Sequence, residues 1–228
     1  MYILHYAPDN ASLAVRLALE ELGAPYRTTL VDGAARAQES AAYRAVTPTG
    51  LIPALETPHG AIFETGAILL WLADRHGGLA PAPDAPDRGN FLKWFFLTAD
   101  TLHPDLRALF YPQHYAGADK EGHRALTEGR ILRSLALLEG ALAGRPAWCR
   151  AGAPGALGCD LAPLLRWLAL YPRQNPMRPD LAAYPALLSV LSDLEGRPSA
   201  RRAAEAEGLG PAPFTAPAYP VPPEGSTT

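Results

Sequence analysis

Side chains that can donate to an anion or carry a proton gather at a few places along the chain. Tyr6, Asn10 and Ser12 share the short stretch YAPDNAS. Ser12 stands where that stretch gives way to an apolar run of helical spacing, so its hydroxyl and the positive end of a helix act at one point. A hydrogen bond to a charged group contributes about 1.5–3 kcal/mol and a helix N-terminus about 0.3–1 kcal/mol, enough together to hold an anion. The plainer role for Ser12 is an ordinary N-cap. Glu64 and Thr65 precede a second such run, with Thr65 placed as N-cap; a solvated turn carboxylate and a cap is the plain alternative there. His103 lies on an apolar helical stretch, where a histidine is either a satisfied core group or a site group, and Arg36 is isolated in a polar stretch.

The elements that must position these groups follow from periodicity. Tyr2 to Tyr6 reads as a strand, and Ser12 opens a helix whose Leu13, Val15, Leu17, Leu19 and Leu22 supply buried faces before Gly23 ends it. Tyr26 to Val31 alternates as a second strand, and Arg36 to Tyr43 is weakly helical or irregular. Pro53 heads the strand Ala54-Leu55-Glu56-Thr57, which Pro58-His59-Gly60 separates from Ala61-Ile62-Phe63. A proline cannot donate to a ladder, so Pro53 marks an edge or an entry. A helix with Ile68, Leu69 and Leu72 on its apolar side then runs to His76-Gly77-Gly78. Residues 1–78 thus form an α/β unit of order βαβ-ββα.

Residues 79–87, LAPAPDAPD, are a proline-rich linker. An all-α region over 88–210 follows: Arg88 to Ala108, which Pro104 must kink, then Arg124 to Leu142, Asp160 to Leu170, Tyr184 to Glu195 and Ala200 to Glu207. The tail 211–228, PAPFTAPAYPVPPEGSTT, has prolines too frequent for a regular element, with Phe214 and Tyr219 as apolar anchors that could pack over the surface or a cleft.

With 228 residues, 48% of them apolar, the chain can bury a sizeable core. A net charge of -3 with both signs interspersed gives no footprint for nucleic acid or anionic lipid. Neither a signal peptide nor an 18-residue apolar span is visible, so a soluble, cytoplasmic protein is expected. Cys149 and Cys159 match neither a CxxC nor a zinc spacing, so they are expected reduced and structural, and no metal is implied.

Ile52-Pro53-Ala54-Leu55 and Glu64-Thr65 resemble the "V/I-P-x-L" and "Glu/Gln-Ser/Thr" motifs of the cytosolic glutathione transferases, whose N-terminal domain is thioredoxin-like and whose C-terminal domain is all-helical. Tyr6 to Leu13, YAPDNASL, is similar to the beta-class pattern "Y-x-P-G-x-C-S-L", with Asp9 in place of its glycine and Ala11 in place of its cysteine. LHPDLRALFYP is similar to the "L-H-K-x-F-x-x-L-F-R-P" of that class, with His103 at the histidine and Pro104 at the lysine. The usual "Ser/Thr-x-x-Asp" cap survives as Leu157-Gly158-Cys159-Asp160, its hydroxyl lost.

The resemblance implies glutathione as co-substrate and a homodimer that attacks a small hydrophobic electrophile with the glutathione thiolate, a detoxification chemistry. Since only the thiolate is a competent nucleophile, Ser12 is the implied donor, with Asn10 or Tyr6 as substitutes and His103 facing the thiol. The missing cysteine argues against mixed-disulfide chemistry. A cis Pro53 would present the Ile52 backbone, beside Leu51, to the cysteinyl backbone of glutathione; Glu64 and Thr65 would meet its γ-glutamyl end and Arg36 its glycyl carboxylate. Phe110, Tyr111, His114 and Tyr115 would form an aromatic wall for the electrophile. Two alternatives stay open: a non-catalytic binder of glutathione or a hydrophobic ligand, and a glutathione-dependent peroxidase, isomerase or ether-cleaving enzyme.

Overall fold

The structure, a computed structural model, describes residues 1–150, 152–173 and 179–226. Its sheet has the order β2-β1-β3-β4. β1 (Tyr2–Tyr6) runs parallel to β2 (Tyr26–Leu30), with Tyr2 opposite Tyr26. A parallel pair needs a crossover, which α1 (Ser12–Leu22) supplies; Gly23, at φ 60°, ends it by returning its N–H to the Leu19 and Glu20 carbonyls. β3 (Ala54–Thr57) pairs antiparallel with β1, setting Leu4 against Leu55, and with β4 (Gly60–Phe63). Leu4 and Leu55 are fully buried in one core with Leu13 and Leu17 of α1 and Ile68, Leu69 and Leu72 of α3 (Thr65–His76). The stretch expected to be weakly helical is a 3-10 turn, Ala37–Glu39, followed by α2 (Ala41–Val46), which Ser40 caps by accepting from the Tyr43 N–H at 3.1 Å.

The second half is helical: α4 (Arg88–Leu97), α5 (His103–Phe110), α6 (Lys120–Leu142), α7 (Gly155–Leu170), α8 (Pro185–Glu195) and α9 (Pro198–Glu207). The interruption expected at Pro104 falls before it, as one wide π turn over Thr98–Leu102, leaving Pro104 in the first turn of α5, where a missing N–H removes little. α7 begins five residues ahead of the expected Asp160. Its start docks on the linker, with the Ala156 N–H on the Leu79 carbonyl at 2.7 Å. A Cβ on Gly155, at φ 65°, would lie 2.7 Å from that carbonyl oxygen, so the residue that reads as a breaker is the one that fits. Asp160 is therefore inside the helix, 1% exposed, and its Oδ2 has no hydrogen-bond partner among the described residues.

α1 packs against α7 and α9, so one large apolar core spans sheet and helices, beside a small second cluster of Val31, Tyr43 and Ala54. Cys149 and Cys159 are buried and unpaired with each other. The described part of the tail, 211–226, forms no regular element, as its prolines dictate, yet it is packed: Phe214 is fully buried, and the Val221 N–H reaches the Gly208 carbonyl at 2.8 Å. Among the described residues no helix is long and apolar enough to cross a membrane.

Candidate active site

A cleft of about 610 Å³ opens between the sheet edge and α5, and its lining brings together Asn10, Leu51, Ile52, Pro53, Glu64 and Thr65 on one side. His103, Phe110, Tyr111, His114 and Tyr115 face them from the helical side. The pattern around Pro53 placed the sheet-side group, and the Ile52-Pro53 bond is cis.

Three candidate residues are not in this wall. Ser12 is fully buried, and its hydroxyl is turned back into its own loop, donating to the Ala7 carbonyl at 3.1 Å and accepting from the Ala7 N–H at 3.3 Å. Nor is it the N-cap of α1: Ala11 holds that position and no side chain caps the helix. Tyr6 is 2% exposed and does not line the cleft. Its phenol donates to Glu224 of the tail, the Arg16 guanidinium lies 4.6 Å from its ring centroid, and burial with the Glu224 contact pushes its pKa well above the ordinary phenol value. Arg36 is ion-paired with Glu39 at 2.6 Å on a 73%-exposed side chain, outside the cleft; Gln38 lines it instead.

Of YAPDNAS, Asn10 lines the wall together with its neighbours Asp9 and Ala11. The Asn10 Oδ1 accepts from the Ala11 N–H at 2.7 Å, which fixes the amide orientation and leaves Nδ2 as the remaining donor. Beside it, Asp9 adopts φ 50°, a left-handed conformation costing an L-residue about 1–2 kcal/mol. This is where the resembling pattern has glycine.

The start of α3 carries a second strained residue. Glu64, not Thr65, is the N-cap, at φ 71°, and neither hydroxyl nor carboxylate caps the helix. Backbone in such a region costs about 1–3 kcal/mol and persists where its surroundings hold it. The first helical bond is Ile68 N–H to Glu64 C=O at 3.0 Å, so the preceding N–H groups have no side-chain cap, and the first of them belongs to Thr65, which lines the cleft.

Across the cleft, His103 packs on Trp167 with ring centroids 5.9 Å apart. Burial pushes its pKa down to about 4, helped by the positive charge of Arg107, so the imidazole is neutral at physiological pH. It is then no cation for a nearby anion. Tyr111 and Tyr115 are 38% and 48% exposed, open apolar surface at the cleft mouth. Trp167 and Tyr171, which carried no motif in the sequence, and Arg107, at an unspecified position of LHPDLRALFYP, also line the helical side.

A four-stranded mixed sheet with a helical second half, and a cleft where they meet, define a thioredoxin-like unit joined to a helical one. Residues 11–75 match the family described as glutathione S-transferase, N-terminal domain. A sphingomonad glutathione S-transferase, solved in complex with glutathione, superposes with a TM-score of 0.74 at 32% identity, covering 91% of this chain and 100% of that one. Among curated proteins, the glutathione S-transferase GST-4.5 of Xanthomonas campestris pv. campestris is 28% identical over 211 residues, 90% of this chain and 98% of its own length. The maleylacetoacetate isomerase of Rhizobium meliloti is 29% identical over 191 residues, 81% of this chain and 86% of its own. The chain belongs to the glutathione S-transferase family.

Proposed function

We propose that this chain is a glutathione transferase in which the Asn10 amide, at the start of α1, stabilises the glutathione thiolate for attack on a small hydrophobic electrophile. The observation that carries this reading is the placement of Asn10 in the cleft wall while the hydroxyls of Ser12 and Tyr6 are bound elsewhere. In this reading glutathione lies along the sheet edge, its cysteinyl backbone pairing with Ile52. Its γ-glutamyl carboxylate meets Thr65 and the N–H groups opening α3, where a helix start favours an anion, and its ammonium meets Glu64. The electrophile sits against Phe110, Tyr111, His114 and Tyr115. With Ala11 where a cysteine would form a mixed disulfide, the reacting sulfur is that of glutathione, which ends as a thioether when it adds to an activated double bond or displaces a leaving group as its anion. His103, neutral, packs beside the sulfur and shields it. The working form in this reading is a homodimer, for which sedimentation is the direct test.

A second reading, glutathione-dependent isomerisation of an acidic substrate, is favoured by Arg107. This cation lines the helical side of the cleft and has no ion-pair partner among the described residues, and the Rhizobium relative is an isomerase. The deciding experiment measures glutathione binding by calorimetry and turnover with chlorodinitrobenzene and with a maleyl keto acid. Conjugation supports the transferase, isomerisation without conjugation supports the second reading, and binding with neither overturns both.

A further inference from the structure

The Asp9 carboxylate is enclosed by donors. Arg166 Nε reaches Oδ1 at 2.8 Å and Nη2 reaches Oδ2 at 3.2 Å, Trp167 Nε1 donates to Oδ1 at 2.9 Å, and Tyr171 donates to Oδ2 at 2.9 Å. Both members of the Asp9–Arg166 pair are 0% exposed. The Asp9 N–H is held too, by Glu207 Oε2 at 2.9 Å, and Glu207 also takes Arg16 Nε at 2.7 Å. Trp167 and Tyr171 line the cleft, so one carboxylate ties the loop carrying Asn10 to the opposite wall.

The other donors of Arg166 go to the tail: Nη1 to the Pro213 carbonyl at 3.0 Å and Nη2 to the Ala218 carbonyl at 2.8 Å. The tail is fixed around those carbonyls. Glu195 accepts from the Phe214 and Thr215 N–H groups at 2.8 and 3.0 Å, Tyr219 donates to the Leu170 carbonyl at 2.8 Å, and further on Glu224 meets Tyr6 and Ser226 donates to Asp32 at 3.2 Å. A guanidinium offers donors in a rigid fork, so its plane cannot satisfy Asp9 and both carbonyls unless all three are in register.

We propose that Arg166 and the tail are positioning elements for thiol activation: the tail carbonyls orient the guanidinium, which holds Asp9 in its left-handed conformation and so aims the Asn10 amide at the sulfur. The tail acts as a strap behind the reactive loop, not as a lid over the substrate. This rests on the reading of Asn10 as the thiol donor.

The test is the ultraviolet thiolate titration of the glutathione complex, with calorimetric affinity, for the full chain and its Asn10→Ala, Arg166→Lys and Phe214→Ala variants. Leu187→Ala, in the core beside α6, is the control for a general loss of stability. Arg166→Lys and Phe214→Ala are each expected to raise the titration midpoint and cut turnover by about 10- to 100-fold, the effect of misplacing a reacting group by about 1 Å. Glutathione affinity should stay within about threefold, since its binding contacts are untouched, and Leu187→Ala should leave the midpoint in place. If Asn10→Ala raises the midpoint while Phe214→Ala and any folded Arg166→Lys do not, the strap is overturned and the Asn10 reading stands. An unmoved Asn10→Ala midpoint overturns both. Equal movement in Leu187→Ala reduces the effect to stability and also overturns the proposal.

Discussion

Phe214→Ala tests whether the proline-rich tail is part of the folded structure. The ring is 0% exposed and belongs to the core shared by α7, α8 and α9. Truncating a fully buried phenylalanine costs about 3–5 kcal/mol, transfer and cavity together. For a protein of this size each kcal/mol moves Tm by about 2–4 °C, so a fall of roughly 6–20 °C is expected by circular dichroism. Val221→Ala, at a position 82% exposed, is the matched control and should change stability by no more than about 0.5 kcal/mol. If Phe214→Ala melts with the parent, the tail is not packed and the strap argument loses its footing.

Other outcomes are expected elsewhere. Burial, with Asp100 nearby, pushes the Asp160 pKa up to about 7, so the stability tied to its neutral form is fully present below the ordinary carboxylate range and is lost as pH rises through 7. Asp160→Asn should therefore gain more Tm at about pH 8 than at about pH 5, and a gain confined to acid would refute this. Glu64→Ala should raise KM for glutathione and leave kcat, because the contact is made alike in ground and transition states; matching losses in both would contradict it. Burial pushes the Cys149 thiol up to about 12 and Cys159 further. Both should stay inert to a thiol reagent at neutral pH until denaturant is added, and reaction of the native protein would show the burial to be wrong.

Periodicity in the sequence located most helices, because Leu13, Leu17, Ile68, Leu69, Ile131 and Leu135 repeat at core spacing and are fully buried, and turn residues such as Pro53 and Pro58-His59-Gly60 marked off the strands. The start of α7 escaped because Pro154 and Gly155 look like breakers locally, whereas Gly155 is required by the Leu79 carbonyl far back in the chain. The motif around Pro53 and Glu64-Thr65 led to the sheet-side wall. Ser12 misled for a different reason: a hydroxyl at the start of a helix has two directions to face, and only the folded loop turns it onto Ala7. Asp9 was visible as an oddity where glycine was expected. Its meaning depends on Arg166, 157 residues away, a distance no local pattern spans. The tail was legible as irregular but not as packed, since its anchors are backbone carbonyls and one aromatic ring meeting side chains from distant helices.

The most direct test of the proposed chemistry is the titration midpoint of glutathione bound to the unmodified protein and to Asn10→Ala, Ser12→Ala and Tyr6→Phe. A free thiol titrates near about 8.5, and a hydrogen bond from Asn10 contributing about 1.5–3 kcal/mol should lower it by about one to two units. The account predicts a midpoint well below that of free glutathione, raised by Asn10→Ala and left in place by Tyr6→Phe. A midpoint that Ser12→Ala or Tyr6→Phe raises while Asn10→Ala does not would contradict it, as would bound glutathione that titrates like the free thiol.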